Sequence, residues 1–450
     1  MLDILKSLES TSSRNEKLDI LKGLDVQKAA AFKRLAYLAY DPSIDYWIKE
    51  YEKVDDHLDC VSLFDVLNDC ENILSKRVFT GNMAKQWLEQ QHEMLSEDNA
   101  EVLRRVILRD LRCGISAKTV NKVWPNTVYI HPYMRCSGFS EKNLSKIKYP
   151  CYSQTKMDGL YCDIMIYDGG TSTTVVECRT RNGSIIKLTT DEMNDALATQ
   201  FDNEVLMGEA LAVDEDGELM NRQASNGYLN SDDIDPERIR FFLWDVVPYD
   251  EHQAQKGTQS YETRFEYLKE SVEGIDFLNV VDTVVCESKQ DILDHFETLR
   301  KAGEEGSVIK NTAGIWKNGD SKDQIKMKVI FDCDLVPVEW KYGDKDTKYK
   351  DVVGSIRFET SDGKLSVWAG SGYTDKQRKD LLKTIDGLIE SGTVGVVRGN
   401  DVIFNKDNPD LFSIFLPRFA GFRTDKREAD TLERVQQQVK SFINALDQIK

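Results

Sequence analysis

The hydrophobic period of this chain changes twice along its length, and each change limits which segments can share a core. From residue 1 to about 130, apolar residues recur at three- and four-residue spacing with very few glycines, the pattern of amphipathic helices. Residues around 126–150 are loop-rich and punctuated by Pro125, Pro132 and Pro150, which suits a linker. From there to about 330, strand-like runs such as YCDIMIY, EVLMGEALAV and IRFFLWDVV alternate with helical segments such as ETRFEYLKESV and KQDILDHFETLRKAG. After residue 331, short strands (FDCDLVPVEWKYG, GSIRFET, KLSVWAGSG, TVGVVRGNDVIFN) surround one amphipathic helix at 374–390, and a charged helix follows at 427–449. The expected organisation is an all-α domain at 1–130, an α+β domain at 131–330 and a closed β-barrel of the OB type at 331–450.

Composition narrows the class. The chain has 450 residues, 40% hydrophobic and 30% charged, enough for several cores and too apolar for disorder. No stretch approaches the roughly 20 apolar residues of a membrane span. The opening MLDILKSLES carries Asp3 and Lys6 where a signal peptide needs an apolar region, so a soluble, cytoplasmic protein is expected. Nine scattered cysteines without CxxC pairs or clustered histidines argue against a disulfide framework and against a zinc site. A formal net charge of −18 looks wrong for a nucleic-acid protein, but partner choice follows where the basic residues gather.

One such gathering is EVLRRVILRDLRCGIS, residues 101–116. Helical spacing stacks Leu103, Ile107 and Leu111 on one face and Arg105, Arg109 and Arg112 on the other, with Gly114 as the stop. With Lys118 and Lys122 on the next helix, the stripe suits a phosphate backbone; a solvated surface helix is the plainer reading.

The second gathering is ordered along the chain: KMDG at 156–159, TRNG at 180–183, MGEAL at 207–211, FFLWDVVP at 241–248, EEGSVIK at 304–310, QIKMK at 324–328 and FRTDK at 422–426. Lys-x-Asp-Gly alone is a weak signal. A strand places Lys156 and Asp158 on one side, and likewise Lys326 and Lys328 around Met327. Gly159 allows close backbone approach.

This ordered set resembles the motifs of the covalent nucleotidyltransferases, which comprise DNA ligases, RNA ligases and mRNA capping enzymes. With EVLRRVILRDLRCG, NKVWP, ASNG (224–227) and WAGSG, the chain is similar over nearly its whole length to T-even bacteriophage ATP-dependent DNA ligases. The resemblance implies a helical DNA-binding domain, an ATP-grasp-like adenylyltransferase domain and an OB domain, closing as a monomeric clamp on nicked double-stranded DNA. It implies ATP and Mg²⁺ as cofactors and Lys156 as the nucleophile, with a pKa lowered by burial or nearby cations. Asp158 would contact ribose or orient the lysine, and Gln154 would read the adenine amino group. Arg181 would contact phosphate or ribose, and Trp244 would stack on the base. Glu209 and Glu305 would hold the metal, and Lys310, Lys326 and Lys328 would face the phosphates. Arg423 and Lys426 would orient pyrophosphate after closure about a hinge near 329–334. Tyr161, Met207 and Gly421 depart from the family pattern, so some phosphate contacts could pass to Arg179 or Arg418.

Exposure to ATP and Mg²⁺ is expected to add AMP to Lys156, read by mass spectrometry of the digested chain. Labelling by GTP and not ATP would instead indicate a capping-type enzyme.

Overall fold

The structure is a computed structural model. It describes the chain except residues 50–55, 171–172, 232, 346, 348, 406–407, 409, 424 and 440–450, and the side chains of 222 and 223. Among the described residues the first section holds seven helices, Leu2–Glu9, Arg14–Lys22, Val26–Tyr40, Leu63–Ile73, Gly81–Glu93, Glu97–Ile107 and Ala117–Val123. Side-chain caps start two of them: Ser13 accepts from the Glu16 N–H and Asp25 from the Lys28 N–H, satisfying donors that the first turn leaves free. Leu5, Leu8, Leu21, Phe32, Leu35, Leu67, Leu88, Leu103 and Val106 are fully buried in one shared core.

The arginine stripe does not form as the spacing suggests. The helix ends at Ile107, well before Gly114. Arg109 takes the left-handed position after the helix (φ 58°), with its N–H donating to the Val106 carbonyl and the Asp110 N–H donating to the Arg105 carbonyl. That is a Schellman cap with arginine where glycine is usual. The backbone cost, roughly 1–2 kcal/mol, is offset by the side chain: the Arg109 guanidinium donates to the carbonyls of Asp41 (2.8 Å) and Ile44. Arg105 is buried, donating to Glu101 (2.9 Å) and to the Leu111 carbonyl (3.1 Å). Arg112 also lies past the helix in left-handed backbone (φ 54°), while Lys118 and Lys122 are exposed. Arg105 and Arg109 are therefore internal struts.

The middle section is built on two sheets. One has the order Met134–Gly138, Gly319–Lys328, Gly306–Asn311, Cys151–Thr155, Thr283–Cys286, antiparallel except for a parallel first pair. The other runs Ile185–Ile186, Thr174–Arg179, Leu160–Asp168, Glu204–Ala212, Ile239–Pro248, Leu278–Val280. Helix Tyr261–Ser271 is fastened to the second sheet by a bidentate ion pair in which Arg264 Nε and Nη2 donate to Asp245 at 2.8 and 2.9 Å. Helix Lys289–Lys301 carries a Ser288/Asp291 capping box.

In the third section, the strand Phe331–Tyr342 pairs through residues 331–335 with Gly395–Gly399 and through residues 336–342 with Val353–Glu359. Ser366–Ala369 and Arg418–Phe422 form the two ends of this five-stranded sheet. The expected barrel closure is not seen: among the described residues no ladder joins the two ends, although the Phe419 N–H donates to the Ser371 carbonyl at 2.9 Å. The segment at 374–390 folds as two short helices, Asp375–Leu381 and Ile385–Glu390, rather than one. Residues 432–439 are helical; the rest of the expected terminal helix, from 440, lies outside the described residues.

Because Arg109 satisfies two interior carbonyls, Arg109→Ala is expected to destabilise the first section by about 2 kcal/mol, read as a shift in the urea midpoint.

Candidate active site

The strand Cys151–Thr155 is buried along its whole length, held between Thr283–Cys286 and Gly306–Asn311. The chain leaves this ladder at Lys156, whose N–H still donates to the Gly306 carbonyl at 2.9 Å. Gly306 has φ 150°, and a Cβ there would lie 2.2 Å from the Met327 carbonyl oxygen. Only glycine permits this approach, and it brings Glu305 alongside Lys156. Three residues on, the Gly159 N–H donates to Glu209 Oε2 at 2.8 Å, and a Cβ at Gly159 would lie 2.4 Å from the Ala210 carbonyl oxygen. Two glycines thus seat the Lys156 amine among the charges of Glu305 and Glu209.

Lys156 Nζ is in contact with Glu305 Oε2 and donates to its neighbour's Met157 carbonyl at 3.3 Å. Lys328 Nζ lies 3.6 Å from the other Glu305 oxygen. The expectation that the Lys156 pKa falls is not met in this state. Burial does push it down, but the charges of Glu305, Glu209 and Asp158 more than offset burial, and the pKa is raised. The depressed lysine is Lys310, lowered to about 8 by burial against the opposing charge of Asp245. Its Nζ lies 3.1 Å from the Tyr261 hydroxyl and 4.3 Å from that ring's centroid. Lys328 is lowered too, by burial and by Lys156 and Lys326, with Glu305 opposing. Burial raises the Glu209 carboxyl to about 7, although Lys156 and the Gly159 N–H pull it back.

Between the two sheets lies a cavity of about 430 Å³. One sheet contributes Gln154, Lys310, Lys326 and Lys328, with Lys156 just beyond its strand Cys151–Thr155; the other contributes Glu209 and Trp244, and Arg181 enters from the turn after Thr174–Arg179. Arg181 sits 4.7 Å over the Tyr133 ring. Gln154 donates to Thr283 Oγ1 (3.1 Å), while its buried Oε1 has no partner, so an acceptor is available for an amino group entering the cavity. Asp158 contributes charge at Lys156 without lining the cavity. Glu209 and Glu305 form an all-oxygen pair beside the lysine, the donor type that Mg²⁺ takes.

The structure does not bring Arg423 and Lys426 to this cavity. Arg423 pairs with Asp334 (3.0 Å) and Asp425, and Lys426 with Asp334 (2.6 Å) and Asp430 (3.0 Å). Several cavity residues went unnoticed in sequence. Tyr133, Cys136 and Trp316 sit in unremarkable stretches, Gln324 opens QIKMK without a charge to mark it, and Asp320 is reachable only by extending that alternation backwards along its strand. Tyr161, noted as a departure, packs edge-on against Tyr133 at 4.9 Å and forms part of the wall.

Comparison with known proteins points the same way as the geometry. Residues 134–328 match the family model described as ATP dependent DNA ligase domain. The chain is 28% identical to the DNA ligase of Enterobacteria phage T4 over 97% of its own length and 98% of the relative's. It is 27% identical to DNA ligase 2 of Methanosarcina mazei over 51% of this chain and 45% of that one. The solved structure titled Pmar-Lig_PreS3 superposes with a TM-score of 0.72 at 22% identity, covering 94% of this chain and 99% of the other, a likeness of fold.

The raised Glu209 carboxyl has a consequence for stability. A carboxyl whose pKa rises from 4.5 to about 7 on folding stabilises the folded state at low pH, and that contribution is lost as pH climbs through 7. Between pH 5 and pH 8 the ligand-free protein is expected to lose about 3 kcal/mol through this group. Glu209→Gln is expected to remove that loss, measured by urea unfolding at the two pH values. Residues 134–328 thus match the ATP dependent DNA ligase domain, and the chain is similar along nearly its whole length to a phage DNA ligase.

Proposed function

We propose that this chain seals nicks in duplex DNA with ATP, and that Lys156 carries the AMP. The observation that supports this most is the placement of one amine among two carboxylates, at a cavity where three further lysines converge. In the first step the Lys156 Nζ lone pair attacks the α-phosphorus of ATP, a P–N bond forms, and the bond to pyrophosphate breaks. Nζ must first lose its proton. Glu305, already in contact with it, is the group placed to take it, and Lys328 and Lys326 beside it favour the neutral amine. A Mg²⁺ held by Glu209 and Glu305 would neutralise charge on the phosphates. Gln154 accepts from the adenine amino group, Trp244 stacks on the base, and Arg181 and Asp158 fix the ribose side. Lys310, Lys326 and Lys328 take the phosphate charge.

In the second step a 5′-phosphate oxygen of the nick attacks the lysine-bound phosphorus and the P–N bond breaks. In the third, the 3′-hydroxyl attacks the activated 5′-phosphate and AMP leaves. We read the protein as three domains, at 1–130, 131–330 and 331–450, the first helical and gripping DNA, the third an OB fold. It works as a monomer on nicked double-stranded DNA in the host cytoplasm. No helix among the described residues is long and apolar enough to cross a membrane. In the first domain the exposed Lys118 and Lys122, with the half-buried Arg112 before them, contact phosphates, and Arg105 and Arg109 hold the segment that carries them. Arg423 and Lys426 leave Asp334 and reach pyrophosphate when the third domain closes about residues 329–334. Val329 and Ile330 separate the strands Gly319–Lys328 and Phe331–Tyr342, which suits a short hinge.

Lys156→Ala is expected to abolish AMP labelling and nick sealing while leaving nick binding within about twofold, since one charge of many is lost. Gel-shift and sealing assays on the same preparation check it. Undiminished sealing would overturn the assignment of Lys156.

A further inference from the structure

Close to the cavity walls formed by Tyr161 and Trp316, the fold brings together three side chains that the nucleotide chemistry does not use. His131 comes from the segment entering the first strand of the middle section, Asp163 from Leu160–Asp168, and His252 from the short helix Tyr249–Gln253. His131 is 6% exposed and the other two are fully buried. One donor atom from each lies within 4.8 Å of the others. His131 Nε2 is 2.6 Å and His252 Nε2 3.8 Å from Asp163 Oδ2.

Hydrogen bonding within the protein leaves this cluster unfinished. His252 Nε2 and Asp163 Oδ1 are both shut from solvent, and neither has a partner in good hydrogen-bond geometry, the Pro132 carbonyl and the Tyr161 hydroxyl being the nearby polar groups. Buried polar atoms so poorly satisfied are costly, and a shared cation satisfies both. We propose that His131, Asp163 and His252 form a site for a divalent cation of the zinc class, separate from the Mg²⁺ carboxylates.

Two imidazoles and a carboxylate suit late first-row metals, whereas Mg²⁺ takes oxygens. Metal–ligand bonds of about 2.0–2.1 Å in a tetrahedron give ligand edges of roughly 3.3 Å, which the observed 2.6 and 3.8 Å contacts bracket. The two rings and one Asp163 oxygen supply three donors, leaving the fourth position for a further ligand. His131 is already oriented by its other nitrogen, Nδ1, 3.1 Å from the Tyr129 hydroxyl, the outer support that metal-binding histidines use. Gly183 at φ 90°, where a Cβ would lie 2.8 Å from His131 Cβ, lets the turn pass close to the base of that side chain. The ion cross-links residues 129–133, just ahead of the strand Met134–Gly138, to the wall that carries Tyr161.

The test is direct binding of Zn²⁺, and of Co²⁺ as its visible reporter, to the full chain in excess Mg²⁺. One equivalent is expected, with a Co²⁺ spectrum of nitrogen and oxygen ligation lacking the thiolate band that the nine cysteines would give. Asp163→Asn and His252→Gln, chosen for near-equal volume, should each weaken binding at least about tenfold. Glu305→Gln, which alters the carboxylate beside Lys156 and none of the three proposed ligands, should leave Zn²⁺ binding unchanged. Zn²⁺ should also raise the Tm of the wild type and not of the two variants. The proposal is overturned by absence of stoichiometric binding in the wild type, by a thiolate spectrum, or by retained affinity in both variants. Should a variant fail to fold, the wild-type stoichiometry and spectrum still decide.

Discussion

The contact between Lys156 and Glu305 is the interaction on which the rest of the middle section depends. Burial disfavours the charge on this enclosed amine, and the neighbouring carboxylates more than offset it. The nucleophile therefore rests in its protonated form. That arrangement restrains the lysine until something competes for Glu305. It rests on the backbone of Gly306, which lets the strand carrying Glu305 pass against Met327 and meet the end of the lysine strand.

The same geometry explains how a chain of net charge −18 can host phosphate chemistry. Four lysines and Arg181 converge on one cavity, where low-dielectric walls strengthen their field. The depressed Lys310 and Lys328 record the tension of placing them there. Elsewhere cations serve the fold: Arg264 ties the strand bearing Trp244 to its helix through Asp245, and Arg105 and Arg109 stitch the helical section. Arginine suits these interior positions because its fork can satisfy several acceptors at once.

How much was legible in the sequence varied with the range of the interaction. Lys326 and Lys328 share a side because strand geometry repeats every two residues, and no tertiary knowledge is needed to see it. Arg109 and Arg112 fall off the expected stripe because the helical spacing does not continue past Ile107, and Arg105, still helical, is covered by Glu101 and the returning Leu111 carbonyl. The stop there comes from an arginine adopting left-handed backbone, held by carbonyls of Asp41 and Ile44 that lie far back in the chain. The single helix expected at 374–390 fails for a related reason: periodicity continues across Leu382–Thr384, but the backbone turns there. His131, Asp163 and His252 could not be grouped in advance, since nothing in their separate neighbourhoods signals a shared site.

The sequence by itself determined the three periodic regimes, the order of the chemical motifs and the side of the strand on which paired lysines fall, because these depend on backbone repeats and nearest neighbours. Only the tertiary structure decided which arginines face inward, that Lys156 keeps its proton against Glu305, and that two histidines meet a buried aspartate. Those outcomes depend on which groups lose water together, and desolvation is a property of the packed interior.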